Sequence, residues 1–269
     1  MADDTKQRQW ALILGASSGF GAATARELAK NGFDIMGIHL DRKNTLPLAE
    51  QVKQDVIKAG REAYFVNMNA SDEEKRKEVL DGFEAHIGQN KKEAAIKLVL
   101  HSLAFGTLKP FFAEDPKEAL TKVQMDMTLD VMANSLVYWV QDLAFRKLIG
   151  KGSRIFAMTS AGSTRVWKTY GAVSAAKAAL ESHIRQLALE LAPLGVTCNA
   201  ILAGVTDTPA LRKIPGHEVM IKTAAERNPF KRLTTPEDIA KALVAFSNSS
   251  TEWMTANTIR IDGGENIVD

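Results

Sequence analysis

Short apolar runs alternate with amphipathic stretches along nearly the whole chain, and no other feature constrains the fold as strongly. ALILG, FDIMGIHL, AYFVNMN, KLVLHSLA, SRIFAMTS, VTCNAIL and TIRIDGG are strand candidates. Between them lie segments of helical periodicity, among them TARELAKNG, LAEQVKQDVIKAG, LDVMANSLVYWVQDLAF and AAKAALESHIRQLALELAP. Runs that are apolar throughout mark strands buried on both faces, as parallel strands are when crossover helices join them. The rhythm predicts an α/β chain with a Rossmann-like, doubly wound fold and a mostly seven-stranded parallel sheet, in one domain over residues 1–269.

Composition narrows the function classes. At 269 residues and 45% apolar content the chain can bury a substantial core. The 34 basic and 32 acidic residues leave a formal charge of +2, too balanced for a nucleic-acid footprint. MADDTKQRQW has no apolar signal core, and no run approaches the roughly 20 apolar residues a bilayer crossing needs, so a cytoplasmic protein without membrane attachment is expected. Cys198 is the only cysteine, which excludes an intrachain disulfide. Its place in an apolar run reads as an inert buried thiol. The five histidines lack paired ligand spacing, so no metal is expected. The basic run around Lys91 and Lys92 reads as a solvated loop before a strand.

Ligands of doubly wound sheets bind beyond the carboxyl ends of the strands. After the first strand comes Gly15-Ala-Ser17-Ser18-Gly19-Phe20-Gly21, opening directly into a helix. Glycines there permit positive φ and a close backbone approach to a pyrophosphate, which the free amides and positive dipole end of the helix attract. The end of the second strand reports the cofactor, because an acid there binds the ribose diol and repels a 2′-phosphate. The position 18 residues beyond Gly21 is His39, followed by Asp41, Arg42 and Lys43. Two cations beside the ribose favour NADPH over NADH, although a small shift of Asp41 would favour the reverse.

Taken in order, these motifs resemble the short-chain dehydrogenase/reductase family over nearly the whole chain. Gly15 to Gly21 looks like its cofactor turn, and Asn69-Ala70-Ser71-Asp72 like its adenine-contacting segment. Ala203-Gly204 through Thr206 and Thr208 looks like its loop over the nicotinamide, and Ile261-Asp262-Gly263-Gly264 like its closing strand. Common members carry Asn-Asn-Ala-Gly after the fourth strand and Tyr-x3-Lys on the helix after the fifth. This chain has His101-Ser102-Leu103-Ala104-Phe105 in the first place and Tyr170-x6-Lys177 in the second. Both departures are similar to the enoyl-[acyl-carrier-protein] reductase branch. Val173 stands where the Tyr-x3-Lys acid would be, and Met132 replaces that tetrad's asparagine. Ser160 keeps the usual serine position, where many enoyl reductases have a second tyrosine.

The resemblance implies NADPH-dependent reduction of the 2,3 double bond of an enoyl thioester, with enoyl-acyl-carrier protein in fatty acid synthesis as the leading substrate. In conjugate reduction hydride arrives at the β-carbon while negative charge develops on the thioester oxygen three bonds away, so the donor must stand further along the substrate than in ketone reduction. Tyr170, three residues before the usual position, supplies that displacement. Lys177 is assigned to the nicotinamide ribose and to positive potential, and Ser160 is the third catalytic candidate. An ideal helix would separate Tyr170 and Lys177 by about 10 Å along its axis, so direct contact is not expected. His101, Ser102 and Leu103 join the cofactor set, with His101 ordering its loop.

Residues 206–227, with Pro209, Pro215 and Gly216, read as a substrate lid. Ala104, Phe105, Trp167 and Tyr170 are the substrate candidates, with Leu103 beside them. Arg212, Lys213, Lys222, Arg227, Lys231 and Arg232 offer a face that could receive an acidic carrier protein or simply be solvated. A homotetramer is the family-level expectation. The alternatives left open are a 2,4-dienoyl-coenzyme A reductase, a carbonyl or 3-oxoacyl reductase, and a nucleotide-sensing protein without catalysis.

Overall fold

A computed structural model describes residues 9–88 and 94–268. Lys91 and Lys92 lie outside the described residues. In chain order the elements are β1 (Gln9–Leu14), α1 (Gly19–Lys30), β2 (Phe33–His39), α2 (Leu46–Lys58), β3 (Ala63–Asn67), α3 (Glu73–Ile87) and β4 (Ile96–His101). There follow α4 (Lys122–Leu129), α5 (Ser135–Phe145), β5 (Arg154–Thr159), α6 (Gly171–Leu191), β6 (Thr197–Ala203), α7 (His217–Arg227), α8 (Pro236–Phe246) and β7 (Thr258–Ile261).

The strands form one sheet in the order β3-β2-β1-β4-β5-β6-β7, every pairing parallel. This is the doubly wound arrangement, and its order reverses between β1 and β4, where such sheets open a crevice. One face packs Leu12, Leu14, Val99, Ile155 and Ala157 against α3, α5 and α6. The other packs Ile13, Leu98, Leu100, Phe156 and Ile201 against α1, α2 and α8. Central β2 and β5 are buried at every residue, as two covered faces require, whereas the edge strands β3 and β7 are largely half-exposed.

Two buried polar side chains of the frame, Asp34 and Trp139, are tied to neighbouring segments. Asp34 of β2 accepts from the Glu62 amide at 2.8 Å and faces Arg61 at 2.9 Å. Trp139 is fully buried on α5 and donates its indole N–H to the Ala70 carbonyl at 2.8 Å, which fastens the loop after β3 to the helix layer.

One helical stretch differs from expectation. LDVMANSLVYWVQDLAF reads as one helix, but a π-helical turn over Asp130–Asn134 separates α4 from α5. Ser135, at the end of that turn, donates its hydroxyl to the Val131 carbonyl at 2.8 Å and meets His101 Nε2 at 2.9 Å. The widened turn is thereby joined to the end of β4, and such turns recur at functional sites.

Candidate active site

The carboxyl ends of β1, β4, β5 and β6 converge on the crevice. At β1 the chain turns through Gly15, with φ of 95°, and Gly19, with φ of 52°, into α1. A Cβ on Gly15 would lie 2.4 Å from the Ser102 carbonyl oxygen, and one on Gly21 would lie 2.0 Å from the Gly15 carbonyl oxygen. Only glycine fits at either position. Ser18 precedes α1 without its side chain capping the helix, so the first-turn amides keep their donors for a ligand. This cradle, closed to any Cβ and lined with open amides, fits a dinucleotide pyrophosphate. Ser17 and Phe20 are half-buried within it.

The other cofactor candidates surround the turn. Leu103 and Thr208 approach it, within 3.6 Å and 3.5 Å of Cβ positions built on Gly15 and Gly19. Thr206 donates to the Gly204 carbonyl at 2.9 Å, and a Cβ on Gly204 would strike Thr234 Oγ1 at 2.4 Å, so the loop following Ala203 is tightly folded. Asn69 accepts from the amide and hydroxyl of Ser71 at 3.1 Å each, which shapes the loop containing Ala70. Arg42 and Lys43 are exposed beyond His39, which is itself buried.

His101 ends β4 fully buried. Ser135 already donates to Val131, so His101 Nε2–H is the donor toward the Ser135 hydroxyl. Nδ1 then bears the lone pair, and it has no partner among the described residues. Burial, reinforced by the Lys177 charge, pushes this imidazole down to about 3, so it is neutral throughout the working range. Its part is positional, and no three His, Cys, Asp or Glu side chains come together as a metal site among the described residues. Cys198 is fully buried and its thiol is pushed up to about 12, which makes it inert.

Three successive residues at the end of β5 meet three residues of the α6 segment. Met158 accepts from Lys177 Nζ at 2.7 Å, Thr159 donates to Glu181 Oε1 at 2.6 Å, and Ser160 lies beside the Tyr170 ring. Lys177 is 5% exposed; burial pushes its ammonium down to about 8, and the Glu181 charge opposes that fall. Burial raises the Tyr170 phenol. The Ser160 hydroxyl offsets part of that rise, although Ser160 Oγ does not reach hydrogen-bond geometry with any described partner.

Tyr170 lies just outside α6, with φ of −92° and ψ of 2°, after Thr169 at a φ of 66°. Its carbonyl accepts from the Ser174 amide at 2.8 Å, so Tyr170 is the N-cap of α6 and stands two turns of helix before Lys177. No hydrogen bond joins Tyr170 to Lys177.

The place of a Tyr-x3-Lys acid is filled. A Cβ on Gly106 would lie 2.8 Å from Thr128 Cγ2 and Val173 Cγ2 and 2.9 Å from Met132 Sδ. Val173 and Met132 thus form an apolar floor against which the β4–α4 loop closes. Sequence reasoning missed Gly106, Gly162 and Phe111, which pack around the start of α6. A Cβ on Gly162 would meet Tyr170 Cε1 at 2.5 Å, and the Phe111 ring covers Gly171, 2.5 Å from a built Cβ. The Phe111-Phe112 pair in a loop was the available signal. Trp167 donates its indole N–H to the Pro215 carbonyl at 3.1 Å and so touches the 206–227 segment, whereas Ala104 and Phe105 are exposed at the rim.

A family model described as enoyl-(acyl carrier protein) reductase matches residues 15–266. The chain belongs to that family of short-chain dehydrogenases/reductases. It is 27% identical over 264 residues to 1-cyclohexenylcarbonyl-CoA reductase of Streptomyces collinus, covering 97% of this chain and 88% of the relative. It is 29% identical over 226 residues to the enoyl-[acyl-carrier-protein] reductase [NADPH] FabI of Staphylococcus aureus, covering 83% and 81%. The solved enoyl-[acyl-carrier-protein] reductase (NADH) of Aquifex aeolicus superposes with a TM-score of 0.82 at 23% identity over 97% of each chain, which shows the shared fold. As an enoyl-reductase-like member the chain is an oxidoreductase that binds a nicotinamide cofactor.

Proposed function

We propose that this oxidoreductase reduces the 2,3 double bond of an enoyl thioester with NADPH. The apolar floor of Val173 and Met132 against Gly106 carries this reading, because it removes a proton donor from the position where a ketone oxygen would need one. It disfavours a carbonyl or 3-oxoacyl reductase, although relatives include the 3-oxoacyl-[acyl-carrier-protein] reductase FabG of Pseudomonas aeruginosa at 27% identity.

When bound, the reduced nicotinamide supplies the hydride. Gly15 to Gly21 and the open amides of α1 would hold its pyrophosphate, and Arg42 and Lys43 its 2′-phosphate. Tyr170 donates to the thioester oxygen as negative charge gathers there, from a phenol that burial keeps protonated. Lys177, fixed by Met158, adds positive potential and would hold the ribose hydroxyls. Val173 and Met132 exclude water from the reacting bond.

The acyl group would enter between Trp167, Tyr170 and Phe105, with residues 206–227 as the lid. Delivery by an acyl carrier protein in fatty acid synthesis is the leading form of the substrate. A coenzyme A ester is the second reading, favoured by the basic face being largely occupied. Arg212 is bidentate to Asp207 at 2.7 and 2.8 Å, Arg232 binds Asp238 at 2.6 and 3.0 Å, Arg227 binds the Val268 carbonyl, and Lys231 binds the Glu226 carbonyl. Loss of rate with salt for the carrier-bound substrate alone would favour carrier docking.

The deciding experiment is NADPH oxidation with crotonyl, dienoyl and acetoacetyl thioesters by the native enzyme and Tyr170→Phe. Native turnover of crotonyl thioester and a loss of about 100-fold or more in kcat on removing the hydroxyl, with NADPH binding intact, is the expected result. Full crotonyl turnover by Tyr170→Phe would overturn the assignment, and preferred turnover of acetoacetyl thioester would restore the ketone reading.

A further inference from the structure

His39 ends β2 with its imidazole buried, and its Nδ1 lies 2.8 Å from Asp41 Oδ2. The two side chains are 5% and 8% exposed, so this is an enclosed pair and not a surface contact. The Asp41 backbone is also fastened to β3. Its amide donates to Asn67 Oδ1 at 2.9 Å, and Asn67 Nδ2 donates to its carbonyl at 2.9 Å. Phe65 backs the imidazole at 6.3 Å between ring centres. By contrast, Arg42 and Lys43 are exposed and have no acidic partner among the described residues.

A free carboxylate at the end of β2 would accept from a ribose diol and repel a phosphate dianion. Here its oxygen is turned inward and bound to a ring N–H, and the Asn67 clamp prevents the backbone from carrying it outward. We propose that His39 is a cofactor-selecting residue that acts through Asp41, latching the carboxylate away from the ribose and leaving Arg42 and Lys43 to a 2′-phosphate. The latch rests on the NADPH reading, and it explains why an acid two residues beyond the strand end does not make this an NADH site. A pocket of about 200 Å³, open on one side and lined by His39, Ala49, Lys53 and Phe65, adjoins the imidazole.

Two substitutions separate the latch from general packing. The amide nitrogen of His39→Asn stands near the place of Nδ1 and keeps the donor, whereas that of His39→Gln stands near the place of Nε2 and loses it. Calorimetric titration with adenosine 2′,5′-bisphosphate and with AMP reads selectivity without catalysis, and kcat/KM for NADPH and NADH accompanies it. His39→Gln should lower the bisphosphate-to-AMP affinity ratio by about tenfold, His39→Asn should keep it within about threefold, and His39→Gln with Asp41→Asn should restore it. Should His39→Gln fail to fold, His39→Leu takes its place. An unchanged ratio in the donor-lacking variant, or a fall that persists without the Asp41 charge, overturns the latch. Native protein that binds AMP as tightly as the bisphosphate overturns the NADPH reading instead. The latch then stands if the donor-lacking variant binds AMP more tightly and falls if it does not.

Discussion

Lys177 is a cation folded into a dry site. In the unfolded chain a lysine holds its proton to about 10.5, whereas burial pushes Lys177 down to about 8. Between those values the unfolded state carries a proton that the folded state lacks, so stability rises with pH across the window, and the cost of burial is greatest below it. Lys177→Met at pH 7 should therefore stabilise the cofactor-free protein by about 1–2 kcal/mol, net of the lost bond to Met158, while abolishing turnover. Denaturant unfolding should show that gain shrinking by pH 10, and a destabilised variant at pH 7 would contradict it. The Tyr170–Lys177 spacing was legible in the sequence. The Met158 carbonyl and the Thr159–Glu181 bond were not, because each joins a strand end to a helix distant in sequence, nor was the His39–Asp41 pair, which depends on side-chain direction.

At the scale of elements, the turn between β1 and α1 has little freedom. Gly15→Ala would force positive φ on a residue with a Cβ and drive that atom to 2.4 Å from the Ser102 carbonyl, so the β1 and β4 ends would part. Affinity for the nicotinamide cofactor should fall by about 100-fold or more with a smaller loss of thermal stability. A titration near the native affinity would show that the cradle is more pliable than its contacts imply. The α5 anchor is a second case. Trp139→Ala empties a fully buried site and orphans the Ala70 carbonyl, and should cost about 3–5 kcal/mol in chemical unfolding. The π-helical turn between α4 and α5 escaped the sequence reading because its apolar spacing is that of an ordinary helix. The Ser135–His101 and Asn134–His183 contacts tie that turn to β4 and α6.

For the whole molecule, large apolar side chains remain outside the two cores. Phe145 on α5 and Leu189 on α6 are 82% and 72% exposed. We expect these helices to pack against further copies in a homotetramer. Light scattering after size exclusion should give about four chains per particle, and Leu189→Glu should lower that mass; a monomeric native protein would refute the assembly. No helix of the described residues is long and apolar enough to cross a membrane.

The sequence by itself determined the architecture and the reaction family. Strands buried on both faces are largely apolar, which made β1, β2 and β5 readable as runs such as ALILG and SRIFAMTS. Glycines that exclude a Cβ and a tyrosine displaced from its lysine are local facts of the chain. Tertiary structure alone decided the state of the chemical groups. Arg212 and Arg232 read as a face either docking or solvated, and folding pairs them with Asp207 and Asp238; Asp41 read as a residue one small shift from the ribose, and folding pairs it with His39 and Asn67. Charge, pKa and access depend on neighbours distant in sequence or on side-chain direction, and neither is encoded in residue type or spacing.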